Sequence, residues 1–193
     1  MSDANLRELE RRWRETGSVE DEAAWLLQRL RVGELDEERL RLAAYCSHEP
    51  SRIALDLRPL AETGSFGLTL RPGGLGRQLL TRVSVDLCLE VLGVLESHRF
   101  HGRCLEAIEA LEGWIADPSS SRAGRARRLA DRCSWDRHDG STERQLTVAQ
   151  LIFWTGRIPL DLWPWAHVAK AAEDLRLDFK GQTLRVALGR PEA

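Results

Sequence analysis

Residues 6–46, LRELERRWRETGSVEDEAAWLLQRLRVGELDEERLRLAAYC, decide the fold. Apolar residues recur in this stretch every three or four positions, the period of an amphipathic helix, and glycines interrupt it twice. The spacing of Leu6, Leu9 and Trp13 predicts a first helix over 3–15. Gly17 suits its end, because glycine enters the left-handed conformation without a Cβ clash. Ser18 with Asp21 three residues on is a relative of the capping box. A second helix follows, acidic at its start and carrying Arg29 and Arg31 at its end, which complements the helix dipole. Ala23, Leu26, Leu27 and Leu30 form its apolar stripe, and Gly33 closes it. A third helix starts near Asp36 with Leu40, Ala43 and Ala44 inward. Pro50 fits the first turn of a short fourth.

Outward from this block the pattern changes. Residues 59–80, PLAETGSFGLTLRPGGLGRQLL, lose the helical period. Phe66, Leu68 and Leu70 alternate as in a strand, and Pro72-Gly73-Gly74 reads as a turn. The most apolar segment is 82–97, RVSVDLCLEVLGVLES. Val83, Val85 and Leu87 alternate, but the length and the later Val91, Leu92, Leu95 spacing favour a buried helix. A helix over 103–116 places Leu105, Ile108, Leu111 and Ile115 on one face, and Asp117-Pro118 ends it. An arginine-rich helix spans about 121–133. The next follows Gly140, with Thr142 and Gln145 spaced as a capping box. The last covers LWPWAHVAKAAEDL, and the tail 175–188 alternates on both sides of Lys180-Gly181, which predicts a small hairpin or one strand with an ordered extension.

The expected architecture is therefore mainly α: about nine helices in a multi-helix bundle or a short helical-hairpin array, with small β elements at 66–70 and 175–188. Helices this short need packing to be stable. The expected organisation is an N-terminal helical module (1–58), an irregular connector (59–81) and a C-terminal helical part (82–193) packed with the first as one domain.

Composition limits the function. The chain has 193 residues, 42% of them hydrophobic and 30% charged, enough apolar material for a real core. Its formal net charge of -2 gives no global attraction to nucleic acid or to an anionic membrane. No apolar run reaches the length of a membrane span. The polar start MSDANLRELERRWRE does not read as a signal peptide, and the expected location is the cytoplasm. The four cysteines, Cys46, Cys88, Cys104 and Cys133, are irregularly spaced, so reduced, buried thiols are expected. Positive charge is almost all arginine, with lysine only at Lys170 and Lys180.

Candidate chemistry is sparse. ESHRFHGRC (96–104) sets His98, His101 and Cys104 at intervals of three. With Cys133 and His138, from CSWDRH, a four-ligand metal site is conceivable. The competing reading is a loop between two helices. Cys46 and His48 lack any marked third group or oxyanion hole for nucleophilic catalysis. PGGLGRQ has no phosphate-binding lysine and reads as a turn. Arg125, Arg128 and Arg132 share one face of the arginine-rich helix, a face suited to phosphates or to an acidic protein. Trp154, Trp163 and Trp165 surround a tight turn, and tryptophans serve both cores and interface hot spots.

Residues 8–55, ELERRWRETGSVEDEAAWLLQRLRVGELDEERLRLAAYCSHEPSRIAL, resemble a stretch found in uncharacterised helical proteins of myxobacterial type. The resemblance covers about a quarter of the chain and implies a helical module. It carries over no catalytic residues. The composition and layout are also similar to helical immunity-type proteins that neutralise toxins.

These observations point to a non-enzymatic protein–protein interaction module, an adaptor, regulator or inhibitor of a bacterial partner protein. No cofactor, membrane or nucleic acid is expected with it. The alternatives are a metal-dependent hydrolytic enzyme using the His/Cys cluster and a nucleic-acid-binding protein using the arginine-rich helix.

Overall fold

In a computed structural model of the chain, residues 2–46, 48–56, 74–133, 141–160 and 165–189 are described, the side chains of 2, 3, 165 and 166 excepted. They form ten α-helices: α1 (Ser2–Thr16), α2 (Val19–Arg31), α3 (Glu37–Tyr45), α4 (Glu49–Ala54), α5 (Gly74–Val91), α6 (His101–Ala116), α7 (Ser120–Asp131), α8 (Glu143–Thr155), α9 (Trp165–Asp174) and α10 (Phe179–Leu188). A 3-10 turn, Leu92–Leu95, extends α5. The fold is a mainly-α, multi-helix bundle, with no strand among the described residues. No helix among them is long and apolar enough to cross a membrane. The chain divides into two compact units, 1–76 with 183–193, and 77–182.

In the first unit α1 packs on α2, and α2 and α3 pack on α4. The expected punctuation is present: Gly17 and Gly33 both adopt positive φ (62° and 79°), and Ser18 Oγ accepts the Asp21 amide at 3.0 Å. Trp13 and Trp25 stack at 4.6 Å, joining α1 to α2. Leu26, Leu40, Leu42, Ala43 and Ala44 are fully buried. Burying each leucine contributes about 1.5–3 kcal/mol, far more than helix propensity in segments this short.

In the second unit α6 packs on α7, α7 on α8, and α8 on α9. The segment read as a buried helix at 82–97 is one, and it begins at Gly74. Leu80, Val83, Val85, Leu87 and Cys88 are buried while Asp86, Leu89 and Glu90 are exposed, so its alternating valines belong to the broad buried face of a helix, not to a strand. Thr142 and Gln145 close the expected capping box at the start of α8.

The hairpin expected at 175–188 is corrected: Phe179–Leu188 is the helix α10. Asp178 Oδ1 accepts the Gly181 amide at 2.9 Å, so Lys180-Gly181 lies in a capped first turn and not in a hairpin loop. Phe179, Thr183, Ala187 and Leu188 are the buried positions, a spacing of four with one neighbour. The apparent alternation of Leu184, Val186 and Leu188 misled because Ala187, small and easily overlooked, carries the inward face. The strand expected at 66–70 lies outside the described residues.

Candidate functional site

Helices α6 and α7 form a hairpin closed by residues 117–119, and the sequence dictates how closely they pack. The inward residues of α7 are Ala123, Ala126 and Ala130, all buried. Such a small-residue stripe lets helix backbones approach. On the far side, Gly156, the C-cap of α8, sits directly against Ala130, where a Cβ would overlap the alanine side chain. With alanines facing inward, the long side chains of α7 are left along its outer edges. Four of them, Arg122, Arg125, Arg128 and Arg132, line a cleft of about 620 Å³. Glu106, Glu109, Ala110 and Gly113 of α6, with Leu129, complete it.

The four arginines do not have the same surroundings. Arg122 is tied down: it donates to the Gly113 carbonyl at 2.8 Å and pairs with Asp117 at 3.1 Å. Arg132 pairs with Glu106 at 3.4 Å at the other end of the hairpin. These two braces join α6 to α7 and leave Arg125 and Arg128 between them. Neither inner arginine has an ion-pair partner among the described residues, and Asp131, next along the helix, is held by Arg157 at 2.8 Å. Both inner arginines are exposed. Like charges one helical turn apart repel by about 0.2–0.5 kcal/mol when nothing lies between them. The cleft is thus a charged slot whose middle is uncompensated, with guanidiniums on one wall and carboxylates on the other.

The expected binding residues separate. Arg125, Arg128 and Arg132 come together in the cleft. Trp154 is on α8, half-buried, stacked on His167 at 4.0 Å and edge-on to Phe153 at 4.9 Å. Arg157 caps that group, 3.6 Å above the Phe153 ring. Trp163 and the side chain of Trp165 lie outside the described residues.

Two of the metal candidates, His98 and Cys133, are engaged in other contacts. His98 Nδ1 accepts the Phe100 amide at 3.3 Å, which leaves Nε2 of the neutral ring to donate to Ser141 Oγ at 3.0 Å. His101 opens α6. Cys133 is buried, its thiol 3.6 Å from the Arg103 carbonyl. A hydrogen bond shared with Cys104, then burial, holds the Cys133 thiol well above the ordinary range. Burial likewise pushes the Cys88 thiol up to about 12. None of the four cysteines is in a disulfide, and all four are buried. No group of three or more His, Cys, Asp or Glu able to hold a metal ion occurs among the described residues, and His138 lies outside them.

One constellation escaped the sequence. His48 Nε2 lies 3.1 Å from Glu22 Oε1, and its Nδ1 lies 2.7 Å from Ser51 Oγ. Serine, histidine and carboxylate in line are the parts of an acyl-transfer triad. Ser51 is fully buried, however, so no substrate carbonyl reaches its Oγ. The arrangement instead ties α2 to the start of α4. The glycine-rich approach to α5 is similarly occupied from within. Glu38 accepts the Leu75 and Gly76 amides at 2.8 and 3.3 Å, where a phosphate would otherwise sit.

The sequence matches no protein-family model, no curated protein and no solved structure.

Proposed function

We propose that the chain is a non-enzymatic interaction module that binds another protein through the α6–α7 cleft. The observation that carries this reading is the pair of uncompensated arginines, Arg125 and Arg128, held between two braced ends on rigid helices. Arginine at such a position suits recognition of carboxylate and phosphate groups. A nucleic acid is the weaker occupant, because Glu106 and Glu109 present negative charge to any phosphate chain entering the slot. Catalysis has less support. The in-line Ser51–His48–Glu22 set is sealed from substrate, and the buried thiols are poor nucleophiles while protonated. In this reading the module serves a bacterial cell as an adaptor, regulator or inhibitor of its partner protein.

A photo-cross-linking residue at position 110, on the floor of the cleft, tests this in the native cell. The expected result is a discrete protein adduct that R125E/R128E abolishes and that a cross-linker at position 20 does not form. Adducts to nucleic acid alone, or protein adducts indifferent to R125E/R128E, would overturn the reading.

A further inference from the structure

Three charges in the cleft lack partners among the described residues: Arg125 and Arg128 on α7 and Glu109 on α6. The other charged groups of the cleft are already paired, Arg122 with Asp117 and Arg132 with Glu106. The occupant must therefore satisfy two cations on one wall and one anion on the other. A ligand of a single sign does only half of this.

The spacing narrows the shape. Arg125 and Arg128 are three residues apart on a helix, a rise of about 4.5 Å. Two carboxylates three residues apart on a second helix have the same rise. On an extended strand, same-side residues stand roughly 6.6–6.8 Å apart and fall out of step. The cleft, of about 620 Å³, is open to one side, so it receives the near face of a helix over one or two turns. Ala110, a small residue, leaves room on the floor for a helix to approach, and Leu129 offers it an apolar contact.

We infer that the α6–α7 cleft takes one or two turns of an amphoteric helix from the partner protein. Two acidic residues three apart engage Arg125 and Arg128, and a basic residue between them in sequence, on the neighbouring face of the same turn, engages Glu109 across the cleft. This rests on the interaction-module reading above and adds to it the secondary structure and charge pattern of the bound segment. It also assigns direction: with cation and anion on opposite walls, the reversed helix places like charges together.

The test uses the full chain and three fluorescent alanine-based helical peptides. The first carries two glutamates three apart and a lysine directly after the first of them, about 100° round the helix from it. The second has glutamine for the lysine. The third has its glutamates two apart. Anisotropy at low ionic strength should show the first binding best and the third worst. R125Q/R128Q should weaken the first by roughly tenfold or more, the loss of charge-assisted bonds. E109Q should weaken the first several-fold and leave the second unchanged. The inference fails if E109Q weakens both peptides alike, if all three bind equally, if none binds, or if a single-stranded oligonucleotide displaces the first peptide at lower concentration. A protein adduct at position 110 combined with any of those results leaves the interaction-module reading intact and removes only the helix. Absence of the adduct removes the reading itself.

Discussion

Helices α1 and α7 are both crowded with arginine, and they use it in opposite ways. In α1, Arg11 is held by Glu8 at 2.7 Å and Glu15 at 3.2 Å, and Arg14 by Glu10 at 2.6 Å. Arg12 reaches across to Asp21 of α2 at 2.6 Å. The Arg11 guanidinium draws the Glu8 carboxyl below its usual range, and Thr16, then Arg12 and Ser18, does the same for Asp21. In α7 the residues three and four positions from Arg125 are Ser121, Arg122, Arg128 and Leu129, so no acid is in register. Arg128 has Asp131 in register, but that carboxylate is engaged by Arg157. Arginine content therefore says little about binding. The presence or absence of acids at helical spacing separates a self-neutralised surface from one with charge to spare.

The most damaging way to break the contrast is to remove the platform under α7. Gly156→Ala places a methyl group where Ala130 already is. Overpacking of this kind costs about 1–3 kcal/mol, and an alanine side chain has no freedom to move aside. Urea denaturation should show the loss, and peptide or partner binding in the cleft should weaken with it. An unchanged midpoint would mean that α7 is not seated on α8 by this contact.

The next largest effect is expected in the other unit. His48→Ala removes the contacts with both Glu22 and Ser51, so about 1–3 kcal/mol should be lost. Ser51→Ala removes only one of the two and should cost less. Thermal melts of both variants check the order. If His48→Ala melts like the parent, the tether between α2 and α4 is not structural, and the triad-like geometry needs another explanation.

Much of this fold was legible, and the failures have physical causes. Ser18, Gly17, Gly33 and the Thr142–Gln145 box all act as their local chemistry requires, because caps and turns depend on neighbours in sequence. The segment at 82–97 is ambiguous because its buried face is broad and its exposed stripe includes the apolar Leu89, which blurs the helical period. The tail reads as a hairpin because Lys180-Gly181 is also a turn signal, whereas here it follows the N-cap Asp178 and lies in the first turn of a helix. The site was half legible. A shared face for Arg125, Arg128 and Arg132 follows from helical spacing alone. The opposing wall of Glu106 and Glu109 depends on how α6 and α7 pair, although the short link at 117–119 already makes them neighbours. The Glu22–His48–Ser51 contact joins residues 26 and 3 positions apart across a helix pair, and nothing local marks it.

The smallest expected effect is also the sharpest test of the α1–α7 contrast, because the two helices should respond with opposite sign. Arg11→Gln removes a cation that two carboxylates hold, so a slight loss of thermal stability is expected at low salt. Arg125→Gln removes one of two adjacent cations without a partner, so a slight gain of about 0.2–0.5 kcal/mol is expected. Both differences should fade as salt is raised, since exposed charges are screened. A loss on Arg125→Gln would mean that the inner arginine already contributes to the fold of the free protein. That outcome would remove the argument that its charge is reserved for a partner. A gain that persists in high salt would point to packing or helix propensity, and would leave the charge argument without support from stability.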